Sequence, residues 1–273
     1  MSEAVAAVRT VSQALVDATA RLAGAGCDTP RLDAEVLLAH VLGVDRSRLV
    51  LDAHSGLEAA ALTRFEALVA RREAREPVAY MLGRKEFRRI ELLVDRRVLI
   101  PRPETELLVE VGLGLASGAS VVDVGTGSGA VALALADERP DLSIVATDVS
   151  ADALAVAREN GRRLGLDVEF VQADLLDGID RRFDAVLSNL PYVANAVELQ
   201  PEIAYEPAGA LFGGPDGLDP VRRLLPMVAD VPLLALEVGL AECVASMARE
   251  AGFTSAEILY DLAGHERVVV ARR

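Results

Sequence analysis

The stretch SNLPY, residues 188–192, follows an apolar run at 185–187 that is typical of a buried strand. It places the amide of Asn189 and the ring of Tyr192 at one spot. A planar amide or exocyclic amine is a poor nucleophile, because its lone pair is delocalised into the adjacent π system. Asn189 Oδ1 and one backbone carbonyl can accept the two N–H groups of such a nitrogen and turn it towards an electrophilic methyl group. The stretch therefore indicates a site that orients a planar nitrogen for attack.

The two residues after Leu190 support this interpretation. Pro191 restricts Leu190 to extended conformations, so that the Leu190 carbonyl can point into the site. Tyr192 offers a π face to a planar substrate and to a nearby cation. The alternative interpretation is that Asn189 only caps a turn at the end of the strand.

A glycine-rich loop follows the apolar strand at 121–124. Glycines permit a tight turn and a close approach of the backbone to a ligand, and the next helix points its N-terminal amides at the same place. The candidate cofactor-binding residues of this loop are Gly125, Thr126, Gly127, Ser128 and Gly129. The loop also matches the dinucleotide fingerprint G-x-G-x-x-G/A, so a nicotinamide or flavin enzyme remains an alternative at this point.

Two further strand ends carry acidic residues. Asp148 ends the segment SIVATD and can accept hydrogen bonds from ribose hydroxyls. Its alternative role is a helix N-cap, which it would share with Ser150. Asp174 and Leu175 follow the next strand and could present a carboxylate to an adenine amino group and an apolar face to the ring. These strand ends together predict an adenosine site.

The pattern after residue 100 defines the elements that must position these residues. Apolar strands alternate with helical segments, which predicts a doubly wound, mostly parallel α/β sheet covered on both faces. In such sheets ligands bind beyond the carboxyl ends of the strands. The predicted strands are ASVVDVG, SIVATDV, VEFVQAD, FDAVLSN, LLALEVG and ERVVVAR, and the predicted helices between them include AVALALADERP, ADALAVARENGRRLG and VASMAREAG.

The chain before residue 86 has a different pattern of apolar residues. Leu, Val and Ala recur at helical spacing, and Asp28, Thr29 and Pro30 resemble a helix start. We expect an N-terminal helical domain at 1–85 that recognises the substrate and a β-hairpin linker at 86–99 with its turn near Asp95 and Arg96. The remaining domain, 100–273, is then expected to bind the cofactor.

Composition narrows the class of protein. The 273 residues carry a formal net charge of -14, which argues against a protein that grips nucleic acid mainly through its phosphates. The segment 71–97 is locally basic and is interpreted either as a helix end and hairpin with paired charges or as a docking strip for an acidic partner. The sequence lacks a long apolar run and a signal-like N-terminus, so we expect a cytoplasmic protein. Cys27 and Cys243 have no metal-ligand spacing, and no metal is expected.

Five segments together resemble one known family, the protein-(glutamine-N5) methyltransferases of peptide-chain release factors, of the HemK/PrmC type. NLPY resembles the (N/D)PPY motif of amino-directed S-adenosylmethionine methyltransferases. The likeness covers nearly the whole chain, including its helical front part. The segments are LIPRPETELLVE (99–110), DVGTGSGAVALALA (123–136), SNLPYV (188–193), FGGPDGLD (212–219) and DLAGHERVVVAR (261–272).

The resemblance implies a substrate, a cofactor and roles for residues. It implies methylation of the glutamine side-chain amide in the GGQ motif of release factors, with S-adenosylmethionine as methyl donor. Separately from the resemblance, we expect no metal, no direct contact with nucleic acid and no membrane. By this likeness Gly125–Gly129, Asp148 and Leu175 would contact the cofactor, and Asn189–Tyr192 would hold the glutamine, with Asn189 also facing the cofactor. Glu104 and Glu106 would either contribute a negative electrostatic field to the site or only be acidic residues in the first turn of a helix.

Leu190 is the plain departure from the family pattern, which usually has proline at this position. Leucine keeps the backbone carbonyl, and Pro191 still favours an extended backbone, so the acceptor can survive with less pre-organisation. Two alternatives therefore stay open: an amino methyltransferase that acts on a nucleic-acid base, and a cofactor-binding homologue with impaired catalysis.

Overall fold

The computed structural model describes residues 9–273, and these divide into two compact units. The smaller unit runs to Leu82 and also includes Pro201–Tyr205. The larger unit comprises Gly83–Gln200 and Glu206–Arg273. The unit boundary therefore falls just before the predicted hairpin, which belongs to the larger unit.

The smaller unit is helical. Its helices are α1 (Val11–Gly24), α2 (Pro30–Leu42), α3 (Arg46–Leu51), α4 (Ala59–Glu73) and α5 (Val78–Leu82). The local signals explain their limits, because Thr10 forms a capping box with Gln13 and Pro30 is the first residue of α2 after Thr29. Gly43 ends α2 in the left-handed conformation. The fully buried ring of Phe65 lies in the core of this unit.

The hairpin consists of β1 (Arg84–Phe87) and β2 (Ile90–Leu93). Its turn lies at Arg88 and Arg89, so the prediction of a turn near Asp95 and Arg96 is wrong. Phe87 and Ile90 are paired and both buried, which fixes the register on either side of the turn. Arg88 adopts φ of 50°, and its guanidinium is held by the carboxylates of Glu138 and Glu110.

Most arginines of the basic segment 71–97 have carboxylate partners. Those of the smaller unit are Arg71 with Glu76, Arg72 with Asp33 and Arg75 with Glu202, and those of the larger unit include Arg84 with Glu91, Arg88 with Glu138 and Arg97 with Asp95. The segment is therefore largely charge-compensated within each unit, as one of the two interpretations of it expected.

The larger unit is built on a seven-stranded sheet of order β5-β4-β3-β6-β7-β9-β8. The strands are β3 (Ser120–Val124), β4 (Ser143–Asp148), β5 (Glu169–Gln172), β6 (Ala185–Asn189), β7 (Leu233–Glu237), β8 (Ser255–Tyr260) and β9 (Glu266–Arg272). The first five in this order are parallel, and β9 runs antiparallel to both β7 and β8. The predicted doubly wound, mostly parallel sheet is confirmed, while β8 was not among the predicted strands.

Five helices accompany the sheet: α6 (Glu106–Leu113), α7 (Ala130–Glu138), α8 (Ala151–Leu164), α9 (Asp219–Met227) and α10 (Ala241–Glu250). The first strand of the chain order, β3, lies centrally between β4 and β6. The strand order reverses between β3 and β6, because β4 and β5 follow β3 on one side and β6 lies on the other. In such sheets ligands bind in the crevice beyond the carboxyl ends of the two strands at this point. Across residues 9–273, no helix has the length and apolar character needed to span a bilayer.

Candidate functional site

The glycine loop after β3 has the backbone that only glycine adopts freely. Gly125, Gly127 and Gly129 have φ of 75°, 57° and 85°. The loop is fastened to β4 because the amides of Gly125 and Thr126 donate to the Thr147 carbonyl at 2.8 and 2.9 Å. Gly129 then serves as the N-cap of α7. The glycine pattern is thus required by the turn itself.

A buried carboxylate, which the sequence analysis did not single out, lies beneath this loop. Asp123 is 2% exposed and accepts a 2.6 Å hydrogen bond from the Thr126 hydroxyl. It also accepts from the amide of Ala132 in α7 at 3.3 Å. Burial raises the pKa of Asp123 to about 6, against the opposing effect of these hydrogen bonds. The sequence could have identified Asp123 by its position, because it lies one residue before the end of the strand that leads into the loop.

Asp148 ends β4 and fixes the other side of the loop. Its carboxylate accepts from the Gly127 amide and from the Ser150 amide, both at 2.9 Å. Each oxygen retains lone-pair capacity for a further donor. Burial raises the pKa of Asp148, and the backbone donors lower it. Ser150 is the N-cap of α8, with its hydroxyl 3.1 Å from the Ala153 amide, so the capping role belongs to Ser150 alone.

The end of β5 is also shaped by contacts with its neighbours. Leu175 has φ of 57°, which is uncommon for a leucine, and its carbonyl accepts from the Thr147 hydroxyl at 2.9 Å. The carboxylate of Asp174 pairs with the guanidinium of Arg223 from α9 at 2.6 Å. Arg223 was not anticipated from the sequence, because its partner lies 49 residues away.

A cavity of about 380 Å³ opens at these strand ends. Eight of the predicted site residues line it: Gly125, Gly127, Asp148, Asp174, Leu175, Asn189, Leu190 and Pro191. Thr126, Ser128, Gly129 and Tyr192 are not among its lining residues. Thr126 instead turns towards Asp123, and the Ser128 carbonyl accepts from the side chain of Asn160 at 2.9 Å.

The cavity combines features that an adenosine-containing cofactor requires. Its wall has a carboxylate at Asp148, apolar surface at Val149, Ala173 and Leu175, and glycine backbone at Gly125. The carboxylate suits hydroxyl donors, and the apolar surface suits a planar ring. Among residues 9–273 there is no cluster of three or more His, Cys, Asp or Glu side chains suited to a metal ion.

Asn189 borders the same cavity from the end of β6. Its side-chain nitrogen Nδ2 donates to the Thr105 hydroxyl oxygen at 3.1 Å. Thr105 is buried and belongs to the short helical turn Pro103–Thr105. The segment PRPETE is thus connected to Asn189 through its threonine, which the sequence analysis passed over in favour of the two glutamates beside it.

Those two glutamates make other contacts. The Glu104 carboxylate lies 3.9 Å from the Arg267 guanidinium, and Glu106 accepts from the Arg88 amide at 3.3 Å. In the same segment, Arg102 pairs with the buried carboxylate of Glu206, which also accepts from the Ile100 amide at 3.1 Å. The segment is therefore anchored by ion pairs before Thr105 and by a hydrogen bond from a backbone amide after it.

Tyr192 lies beside a second buried carboxylate that the sequence analysis missed. Glu237 ends β7, is 2% exposed and lies directly opposite Asn189 in the strand register. The Tyr192 hydroxyl is 3.5 Å from Glu237 Oε1. Burial and the nearby Glu237 raise the pKa of Tyr192 to about 12. The signal for Glu237 was available, because it is an acidic residue at the carboxyl end of the strand next to β6.

The segment FGGPDGLD and the residue before it lie against the backbone of SNLPY and Val193. The Val193 amide donates to the Leu211 carbonyl, and the Gly213 amide donates to the Val193 carbonyl, both at 2.9 Å. A Cβ at Gly213 would collide with the Pro191 carbonyl oxygen, and one at Gly217 with the Tyr192 carbonyl oxygen. These glycines are required because two backbones approach each other closely.

Leu190 is buried, although it stands where the family pattern has proline. Its side chain lies in one core cluster with Val124, Leu175 and Leu218. A Cβ at Gly125 would come within 3.3 Å of Leu190 Cδ2, so the side chain lies against the glycine loop. The leucine is therefore a packing residue of the cavity wall.

Comparison with solved structures gives the fold class. A crystal structure of a methyltransferase from Pyrococcus furiosus superposes with a TM-score of 0.52 at 20% identity, covering 66% of this chain and 87% of that one. At this identity the likeness concerns the fold alone.

Sequence comparison gives the family. The profile of the PrmC N-terminal domain matches residues 13–83, and that of the methyltransferase small domain matches residues 103–206. A release factor glutamine methyltransferase of Deinococcus radiodurans is 41% identical over 270 residues, covering 95% of this chain and 97% of its own. The protein of that name from Mycolicibacterium smegmatis is 42% identical over 273 residues, covering 95% and 96%. With this identity over nearly the full length, the chain belongs to the release factor glutamine methyltransferase family.

Proposed function

We propose that this protein transfers a methyl group from S-adenosylmethionine to the side-chain amide nitrogen of the glutamine in the GGQ motif of peptide-chain release factors. Membership of the family supports the reaction class and the substrate. The observation that carries the proposal within the chain is the setting of Asn189. Its amide borders the cavity and donates through Nδ2 to Thr105, and no residue in 9–273 donates to its Oδ1.

The residues of the cavity would hold the cofactor by complementary chemistry. Asp148 would accept hydrogen bonds from ribose hydroxyls, and Asp174 and Leu175 would face the adenine. Gly125–Gly129 would let the backbone approach the rest of the molecule closely. When bound, S-adenosylmethionine supplies an electrophilic methyl carbon on sulfur, which bonds to the amide nitrogen as the S–C bond breaks and its electron pair stays on sulfur.

The residues of SNLPY would act on the glutamine. Asn189 Oδ1 and the Leu190 carbonyl would accept the two amide N–H groups and hold the nitrogen towards the methyl carbon. Tyr192 would cover the planar amide. The acceleration of methyl transfer comes from positioning and from acceptors that suit the positive charge developing on the nitrogen. The nitrogen then loses one proton to solvent.

We further propose that the N-terminal helical domain, 1–85, recognises the release factor as a folded protein. Two large apolar side chains on α3, Val50 and Leu51, are 76% and 77% exposed. When a partner covers apolar side chains with this exposure, the free energy of the complex is lowered. Replacing both by Asp should raise KM for intact release factor by about tenfold or more, which corresponds to about 1.4 kcal/mol, and leave KM for a short GGQ peptide unchanged.

The matched control for this surface is Val16→Asp. Val16 is 58% exposed on α1 and belongs to the same unit. An equal loss in Val16→Asp, or an equal loss on the short peptide, would contradict a specific role of α3 in substrate recognition.

The decisive test of the reaction is methyl transfer itself. The protein is incubated with labelled S-adenosylmethionine and, separately, with release factor, tRNA, rRNA or DNA. We expect label only in the release factor, and mass spectrometry should locate it on the GGQ glutamine. A release factor with that glutamine replaced by glutamate is the matched control and should remain unlabelled.

The other outcomes select the alternatives. Label in a nucleic acid would indicate an amino methyltransferase that acts on a base. Cofactor binding, measured by a raised melting temperature with S-adenosylmethionine, without transfer to any substrate would indicate an impaired homologue.

A further inference from the structure

The carboxylate of Glu237 is buried beside the residues proposed to hold the substrate amide, yet it is only partly hydrogen-bonded. It ends β7, opposite Asn189 in the register, and the Tyr192 hydroxyl is 3.5 Å from its Oε1. Its Oε2 has no hydrogen-bond partner in the described part of the chain. Burial raises the pKa of Glu237, and a hydrogen bond from Thr105 opposes that effect. A buried, incompletely paired carboxylate of this kind destabilises the fold and calls for a functional explanation.

Thr105 connects this carboxylate with Asn189. The threonine hydroxyl has one proton to donate and lone pairs that accept. In its ionised form Glu237 only accepts, so the hydrogen bond between the two groups uses the Thr105 proton. The Thr105 oxygen is then left to accept from Asn189, which agrees with the 3.1 Å contact to Nδ2.

This direction of donation fixes the orientation of the Asn189 amide. The two ends of an amide have nearly the same shape, and only their hydrogen-bond partners distinguish them. With Nδ2 engaged by Thr105, Oδ1 is the end left to accept from a ligand. If the Thr105 proton instead pointed to Asn189, the amide would turn over and present N–H groups, which repel the N–H groups of a substrate amide.

We propose that Glu237, acting through the Thr105 hydroxyl, is a positioning residue that keeps Asn189 Oδ1 available as acceptor for the methyl-accepting amide. The inference rests on the proposed function and adds to it a device outside SNLPY. Glu237 does not touch the substrate in this scheme. It acts by removing the only proton with which Thr105 could reverse the Asn189 amide.

The chain of contacts from Glu237 through Thr105 to Asn189 is called the relay below. Two substitutions break it at different points. Glu237→Met has similar length without an acceptor, so the Thr105 proton is free to turn to Asn189. Thr105→Val removes the hydroxyl and keeps the branched shape, whereas Thr105→Ser keeps the hydroxyl. We expect the rate constant for methyl transfer to fall about tenfold or more in Glu237→Met and Thr105→Val, with unchanged affinity for S-adenosylmethionine and near-normal transfer in Thr105→Ser.

A double-mutant cycle separates positioning from general damage to the fold. If Glu237 and Thr105 act only through Asn189, neither substitution should reduce transfer further in an Asn189→Ala background. Losses that multiply in that background, equal losses in Thr105→Ser and Thr105→Val, or unchanged transfer in Glu237→Met would each overturn the proposal.

A measurement independent of turnover keeps this inference distinguishable from the proposed function. The side-chain ¹⁵N–H₂ signal of Asn189, assigned by its loss in Asn189→Ala, should exchange with solvent more slowly in the wild-type protein than in Glu237→Met or Thr105→Val. Equal exchange would contradict the fixed amide even in an active enzyme. Protected exchange in a protein that does not methylate release factor would retain the relay and reject the proposed substrate.

Discussion

The two halves of the candidate site are built by different means. On the cofactor side, at the ends of β3, β4 and β5, the shape comes from backbone. Three glycines in left-handed conformations form the loop, and Asp148 binds it through the Gly127 amide. Most of these contacts join residues that lie within about one strand and one helix of each other along the chain.

On the amide side, at the ends of β6 and β7, the shape comes from side chains brought together from distant parts of the chain. Asn189 meets Thr105, which is 84 residues away, and Tyr192 meets Glu237, which is 45 residues away. Thr105 and Glu237 are buried and polar, so each needs its partner.

This difference predicts how each half responds to substitution. The cofactor side should be sensitive to changes that alter the backbone or its carboxylate partner, and the effect should appear in cofactor affinity. The amide side should be sensitive to the loss of single polar atoms, and the effect should appear in the rate of transfer. Binding and turnover should therefore separate between the two halves.

The largest expected effect is in Asn189→Ala. We expect near-normal binding of S-adenosylmethionine and a fall in methyl transfer of about 10²–10³, or about 2.7–4 kcal/mol, because an acceptor used in the transition state is lost. Single-turnover transfer and calorimetric binding of the cofactor measure the two quantities. The exposed Asn195→Ala is the matched control. A parallel fall in cofactor affinity would show that Asn189 belongs to both halves.

The next effect concerns Asp123 and the stability of the cofactor side. Its pKa is raised from 3.8 to about 6 in the folded protein, so the folded state binds this proton more tightly than the unfolded state. The stability that the protonated group contributes is full below pH 3.8 and is lost as the pH rises through 6. The whole shift corresponds to about 3 kcal/mol.

Asp123→Asn tests this directly, because asparagine does not titrate. The free energy of unfolding of the variant, relative to the wild-type protein, should rise by about 2 kcal/mol between pH 4.5 and pH 7.5. Urea unfolding at the two pH values measures it, with the exposed Asp177→Asn reporting the loss of one surface charge. A difference that falls over this range would mean that hydrogen bonds from the loop outweigh burial.

The third effect is in Asp148→Ala, which should weaken binding of S-adenosylmethionine by about 1.5–3 kcal/mol, because hydrogen bonds to a charged acceptor are lost. The variant also frees the Gly127 and Ser150 amides, so its melting temperature is compared with that of the wild-type protein. Asp152→Ala removes an exposed carboxylate from the next helix as control. Unchanged affinity would exclude Asp148 from the site.

The same difference explains what could be predicted from the sequence. The parallel sheet, the glycine loop and the strand ends at Asp148 and Asn189 follow from periodicity and from the rule that ligands bind at carboxyl ends of strands. They are local features. The hairpin turn was misplaced because Asp95 and Arg96 resemble turn residues, whereas burial of Phe87 and Ile90 sets the turn at Arg88.

The partners of the site residues could not be predicted in this way. Nothing within PRPETE distinguishes Thr105 from the glutamates on either side of it, and only the packing of the segment beside β6 makes the threonine the contact of Asn189. The pairing of Asp174 with Arg223 depends in the same way on the place of α9. Glu237 was within reach, because the strand-end rule that selected Asn189 applies equally to β7.

The smallest expected effect lies at the point where the two halves meet. Leu190 packs against the glycine loop and precedes Pro191 in the amide side. Leu190→Pro restores the ring of the family pattern and restricts the backbone before the reaction. If the backbone at leucine is insufficiently pre-organised, the activation free energy of transfer should fall by about 0.4–1 kcal/mol in this variant. The rate constant then rises roughly two- to fivefold, with little change in cofactor affinity.

The buried side chain gives this substitution a second, opposing consequence. Proline fills less of the pocket between Val124, Leu175 and Leu218, so the variant should unfold at a lower denaturant concentration. Leu190→Ala separates the two effects, because it loses the same packing without gaining the ring. Faster transfer in Leu190→Pro than in Leu190→Ala supports the entropic argument. Equal or slower transfer would mean that packing against the glycine loop, and not the rigidity of the backbone, sets the position of the acceptor at Leu190.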